Sequence, residues 1–281
     1  MAAGGADLPQ LIVEAVREKA RTVRALRTKW ALLARDLLAL ATGMRTAVML
    51  DYVALQPEAL LDLVGTVAGI CHEAGQHMVV GVWDSCCYVL RRDLLAERAC
   101  NREAVLWLKL VGDGPQKHMR PASPLNQEAV QQQVEGLLRL LHSANPAQDV
   151  CNLATCDGYY IMPTLNGWLL GYPVVYLADE ATVQATADHL SSQGVVRHIA
   201  MAANSTLKAA CQRSGLSNNA AFEELEVLLS FTVPVEAADA GKGVALLQWV
   251  SGLQSSLECQ ASVGWGNFRV ECEETSQRMQ L

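Results

Sequence analysis

The chain has 281 residues, 51% hydrophobic and only 18% charged, and carries a net charge of −7. This composition excludes a disordered chain and provides the core of one large domain or two small ones. The acidic balance argues against nucleic acid as a partner of the whole surface, and no window approaches the roughly 18 apolar residues of a membrane span.

Charge is unevenly placed. Residues 1–46 hold eight Lys/Arg against four Asp/Glu, a local +4 that leaves −11 on the remainder. An organellar transit segment would be rich in Ser and poor in acids. Here Asp7, Glu14, Glu18 and Asp36 interrupt the basic run and Ser is missing from it, which favours a structural helix over organellar targeting. The nine cysteines include Cys71, Cys211 and Cys259 in apolar or helical settings. Free thiols of a reducing compartment explain them better than a disulfide framework, so the expected location is cytoplasmic.

Asp7 and Pro9 make a helix entry, a side-chain cap followed by a residue that needs no helical N–H. Ile12, Val16, Ala20, Val23, Leu26, Trp30, Leu33, Leu37 and Leu40 then recur at three and four, and the last six form a heptad seam. The spacing predicts one long amphipathic helix, ended by Gly43, that packs across the domain or docks a partner. Residues 46–53 read as a buried strand. Pro57 opens a helix with the stripe Leu60, Leu63/Val64, Val67 and Ile70/Cys71, closing at Gly75. Residues 77–83 and 87–90 read as a hairpin around Asp84-Ser85. A polar helix over 91–102 and a strand over 105–111 follow, and then a Gly112-Asp113-Gly114-Pro115 turn.

Residues 115–123 read as the mobile loop, and Ser123-Pro124 starts a helix stopped at Asn145-Pro146. The stretch 159–176 reads as a central hairpin turning at Asn166-Gly167 and broken at Gly171 and Pro173. Asp179 then caps a short helix, and 195–202 is strand-like. Residues 204–220 are ambiguous. Val227, Leu229, Phe231 and Val233 alternate in a strand ended by Pro234. Val244, Leu247, Val250, Leu253 and Leu257 form a last helical stripe, and residues 262–272 a strand with a bulge near Gly266. Strand–helix–strand units recur loosely at 46–83, 173–202 and 226–272.

Four aspartates follow apolar strands: Asp51, Asp84, Asp113 and Asp179. Gathered at strand ends they would suit Mg²⁺ and phosphoryl chemistry. Turn and cap roles account for three of them, and only Asp51 lacks a local role. The near clusters Cys71-His72 with His77, Cys86-Cys87 and Cys151-x₄-Cys156 lack the paired spacing of a zinc site, so no metal is assigned. Ser205-x-x-Lys208, Gly264-Trp-Gly266 and Gly241-Lys242-Gly243 each lack the companions of the motifs they touch. His189 and His198 have no evident acid partner, and the six tryptophans sit at core spacing.

Leu169, Leu170, Gly171, Tyr172, Pro173, Val174, Tyr176 and Asp179 resemble the signature of the uncharacterised eukaryotic chromosome 1 open reading frame 74 family. Leu177 and Ala178 stand where that family has Trp-Phe. Met49-Leu50-Asp51 is similar to an early strand ending in Asp, and Ser230-Phe231-Thr232-Val233-Pro234 to a late Ser-Phe-Ser-Val-Pro. Order and spacing agree from about residue 46 to 275. The resemblance implies one α/β unit in a soluble eukaryotic protein and carries no catalytic assignment.

The expectation is an α/β protein: a basic amphipathic helix over 1–45, a single mixed-sheet domain flanked by helices over 46–275, and a tail over 276–281. Its expected role is non-catalytic, through protein contacts at the N-terminal helix, with no cofactor, no nucleic acid and no membrane span. The alternative is a small-molecule or nucleotide-binding enzyme with Asp51, Tyr172, Tyr176 and Asp179 as the ligand-binding residues.

Overall fold

The computed structural model describes residues 7–112, 117–146, 148–156, 158–192, 195–215, 226–235 and 242–275. Asp113 and its Gly-Pro turn, Gly241, the end of the ambiguous 204–220 stretch and the tail lie outside them. The architecture is mixed α/β.

The N-terminal amphipathic helix is present as α1 (Leu8–Thr22), with Ile12, Val13 and Val16 fully buried. It does not run on to Leu40. The chain leaves the helix at Val23 (φ −100°, ψ 104°), makes one 3₁₀ turn and resumes as α2 (Trp30–Ala41). One helix over residues 8–40 would be about 50 Å long and would leave part of its stripe uncovered. Folding back packs α1 on α2 and also on α3 (Pro57–Cys71) and on α8 (Ser205–Arg213). The seam residues Leu26, Leu33, Leu37 and Leu40 thereby enter one core. The side chain of Asp7 makes no cap bond.

Gly43 does end α2, at φ +76°. Its N–H reaches the Leu40 carbonyl at 3.1 Å and that of Met44 reaches Ala39 at 2.8 Å, the paired bonds of a Schellman stop. Asp36 sits in the apolar stripe at 1% exposure. Arg35 Nε (2.8 Å) and Tyr52 Oη (2.7 Å) donate to its carboxylate, and Arg45 Nη1 lies 3.4 Å away. Burial first, and then the neighbouring Asp36, push the Tyr52 phenol upward, so it stays a donor.

Three small sheets carry the rest. The first has order β1-β3-β2-β6, from β1 (Ala47–Met49), β2 (Met78–Trp83), β3 (Cys86–Arg91) and β6 (Val150–Asn152). The β2–β3 hairpin turns at Asp84-Ser85 as read, with Trp83 opposite Cys86 and Asp84 at φ +51°. β6 joins β2 in parallel. Helix α3 buries Leu60, Leu63, Val64 and Val67 of its predicted stripe, but Ile70 and Cys71 are only half-buried and the helix ends at Cys71, short of Gly75.

After α4 (Arg92–Cys100), the second sheet has order β5-β4-β7, from β4 (Leu106–Val111), β5 (His118–Pro121) and β7 (Val174–Leu177). Strand β5 lies inside the stretch read as a loop. It pairs antiparallel with β4, Lys109 opposite Arg120, because an edge strand needs only backbone bonds and one inward side chain, here Met119 at 4% exposure. Ser123 caps α5 (Pro124–Ser143), its Oγ accepting from Asn126 N–H.

The third sheet has order β10-β8-β9, wholly antiparallel, from β8 (Val195–Asn204), β9 (Val227–Pro234) and β10 (Trp265–Thr275). The bulge near Gly266 is there, as a register shift between Gly266 and Arg269. Helix α9 (Lys242–Cys259) buries Leu253 and Leu257, but Leu247 is 69% exposed, since the helix turns that part of the expected stripe away from the sheet. None of the three strand–helix–strand units joins neighbouring strands. β3 lies between β1 and β2, β8 between β9 and β10, and β7 and β8 belong to different sheets.

Candidate functional site

The stretch read as a hairpin is a helix and a strand. Residues Met162–Leu169 form α6, so Asn166-Gly167 is helical and not a turn. The backbone explains the Leu-Leu-Gly-Tyr-Pro run. Gly171 adopts φ +84°, its N–H bonds the Trp168 carbonyl (3.1 Å) and that of Tyr172 bonds Gly167 (3.0 Å). This is a second Schellman stop, with Pro173 beyond it to prevent the helix from continuing. β7 then pairs in parallel with β4, and the Pro173 carbonyl accepts from Leu106 N–H.

A cleft of about 600 Å³ opens where α6 and β7 face the β2–β3 hairpin and β9. Tyr172, Tyr176 and Trp83 line it with half-buried side chains, and Phe231 (5% exposed) and Tyr88 (0%) back it. Asp84, Ser85, Cys86 and Asn166 supply polar groups, and Met49 and Met162 thioethers. The rings are coupled: Tyr172 and Phe231 lie 5.6 Å apart, and Phe231 also meets Trp249 edge-on and stacks on His198. Tyr176 Oη donates to the Thr232 carbonyl (2.6 Å), so this hydroxyl is occupied. Burial raises the Tyr172 phenol, Arg45 opposes and Asp51 adds to the rise, so it enters the cleft wall neutral. Asn166 Nδ2 donates to Met49 Sδ (3.3 Å), while its buried Oδ1 has no partner among the described residues.

Of the four residues proposed as ligand-binding, the structure brings Tyr172 and Tyr176 together. Asp51 is exposed just past β1 and does not line the cleft, although its charge reaches Tyr88 and Tyr172. Asp179 is 4% exposed at the far end of β7 and is committed to α7 (Val183–Ser192). Its Oδ1 accepts from the Thr182 N–H (2.9 Å) and hydroxyl (2.7 Å), and Thr182 Oγ1 accepts the Asp179 N–H in return. Burial alone would raise this carboxyl; hydrogen bonds from Tyr159 and Thr182 outweigh it and hold the pKa below the usual carboxylate value. The carboxylate present in the cleft is Asp84, which the turn reading had set aside. Phe231, Tyr88 and Trp83 were not singled out as site residues. The one local hint was Phe231, inside the late Ser-Phe-Thr-Val-Pro segment.

Behind the Leu170–Gly171 wall lies a second cleft of about 530 Å³, lined by Arg45, Arg98, Glu97 and Trp249 among others. Arg98 Nη2 donates to the Tyr172 carbonyl at 2.5 Å, and burial lowers its guanidinium to about 10. Three helices end around this cleft, α2 at Gly43, α4 at Asn101 and α6 at Gly171. Their carbonyl ends are a natural seat for cationic side chains. Among the described residues no group of three or more His, Cys, Asp or Glu is placed to hold a metal ion, and no helix is long and apolar enough to cross a membrane.

Fold and site together define a mixed α/β protein whose three sheets meet around an aromatic cleft. A family model described as Domain of unknown function (DUF4504) matches residues 16–278, and the chain belongs to that family. Comparisons with curated proteins and with solved structures gave no match.

Proposed function

We propose that the protein is a non-catalytic binding protein that takes a small organic molecule in the cleft of Tyr172 and Tyr176. The observation that carries this reading is the convergence of Trp83, Tyr172 and Tyr176, backed by the buried Tyr88 and Phe231, on a space of about 600 Å³. Such a space, mostly apolar with a few polar groups at its edge, suits a small ligand with a ring. The polar groups speak for binding over chemistry. Tyr176 is engaged by a carbonyl, and Asp179 is a cap. The Leu-Leu-Gly-Tyr-Pro stop shapes one wall, so the motif that resembles the chromosome 1 open reading frame 74 signature acts through architecture.

Indole titration followed by thermal shift tests this reading. Ser85 is exposed at the cleft mouth, so Ser85→Trp should keep the fold and block entry. The expected result is an indole-dependent rise in Tm for the natural chain that Ser85→Trp removes. An equal rise in both proteins would show that the cleft is not the binding place. The other reading, a cytoplasmic protein working through contacts at its N-terminal helix, draws support only from the solvent face of α1, because α2, α3 and α8 cover the apolar face.

A further inference from the structure

Among the described residues, the lining of the cleft of Tyr172 and Tyr176 carries one formally charged side chain, a carboxylate. Asp84 stands at its mouth, and no lysine, arginine or histidine among the described residues lines it. Burial, and after it the charges of Cys86, Asp51 and Asp84, push the Tyr88 phenol upward, so the two carboxylates bear on the interior. The nearby cations do not line the cleft, although Arg197 Nε donates to the lining Ser230 Oγ at 2.8 Å. Arg45 faces the second cleft and its Nη1 lies 3.4 Å from Asp36, while Arg98 is bonded to the Tyr172 carbonyl.

An anion entering this space would approach carboxylates with no lining cation to receive it. A cation would meet aromatic rings, whose faces carry partial negative charge, together with the polarisable sulfurs of Met49 and Met162. Burial keeps the phenols of Tyr88 and Tyr172 neutral, and an aromatic wall that remains uncharged attracts through its quadrupole without demanding a proton. A strongly hydrated primary ammonium would lose its water shell at such walls. A methylated ammonium sheds little water, is itself apolar at its surface, and a cleft of about 600 Å³ holds it with room for a substituent.

We propose that the cleft selects an organic cation of the methylated ammonium class, its head group against the aromatic walls and Asp84 at the mouth as counter-charge. The proposal rests on the ligand-binding reading above and narrows it to a ligand class.

Isothermal titration of the full chain with choline, with its neutral isostere 3,3-dimethylbutan-1-ol and with indole separates the two claims. Choline should bind about tenfold more tightly than the alcohol, the worth of a partly desolvated cation–aromatic contact. Asp84→Asn keeps a residue type suited to φ +51°. It should weaken choline about two- to fivefold and leave the alcohol unchanged. Equal affinity for choline and the alcohol, or binding of indole without choline, would overturn the charge selection and leave the binding cleft standing. No binding of any of the three would overturn both.

Discussion

Replacing Gly171 by Ala tests the physical account of the central motif. At φ +84° an L-residue meets its own carbonyl, a cost of about 1–2 kcal/mol. The new Cβ would also stand 3.3 Å from Thr46 Oγ1. That hydroxyl donates to the Leu169 carbonyl at 2.7 Å, so its retreat would give up a hydrogen bond of about 1 kcal/mol. The unfolded chain loses freedom in the same exchange, which offsets about 0.4–1 kcal/mol. The expected net loss is about 1–2 kcal/mol, or a fall in Tm of about 2–5 °C. Gly215 serves as the control, with φ +88° and no atom of the described residues within 4 Å of its Cβ position. Gly215→Ala should therefore show the backbone part alone, about half the effect. Urea unfolding of both variants, and of Gly171→Ala combined with Thr46→Ala, measures the difference. A Gly171→Ala protein as stable as the parent would refute the helix-stop argument. A loss unchanged by Thr46→Ala would refute the contact part.

Asp36→Ala leaves Arg35 and Arg45, whose side chains are each 11% exposed, without their carboxylate, and should cost about 3–5 kcal/mol in urea unfolding. Deleting residues 1–43 should abolish cooperative unfolding, as followed by circular dichroism, because Ile12, Val13, Val16, Leu33 and Leu37 are fully buried; a truncated chain that still melts cooperatively would contradict the shared core. Asp179→Ala should remove about 0.5–2 kcal/mol of cap stabilisation at neutral pH. Since the folded-state pKa of Asp179 is depressed, that stabilisation is complete above the unfolded value of about 3.9 and is lost as pH falls through the lower folded value. The stability gap between parent and variant should therefore close only below the ordinary carboxylate range, as read from acid unfolding curves.

The punctuation of this chain is legible in the sequence. Gly43 as a stop, Asp84-Ser85 as a two-residue turn, Ser123-Pro124 as a helix start, Asp179 as a cap and the bulge near Gly266 all stand where their residue types imply. Each is a preference of the backbone over three or four residues: a φ that only a few side chains tolerate, or an N–H that is missing or capped. The Gly171 and Pro173 break is legible in the same way, but what it breaks is not. In residues 162–170 Leu165, Trp168, Leu169 and Leu170 are all buried. A short segment covered on most sides shows neither a helical nor a strand period.

Tertiary packing decided the rest. It bent the N-terminal seam at Val23, where the 3-4 spacing continues straight through, and it recruited β5 as an edge strand with a single buried residue. It also separated Asp179 from Tyr176, although they are three positions apart. The cleft joins Trp83, Tyr176 and Phe231 through strands of three different sheets. The sequence by itself determined where helices and turns begin and end, because those choices are made within one turn of backbone. Which side chains share a wall was decided only by the assembled sheets, because burial rewards contacts without regard to their distance along the chain.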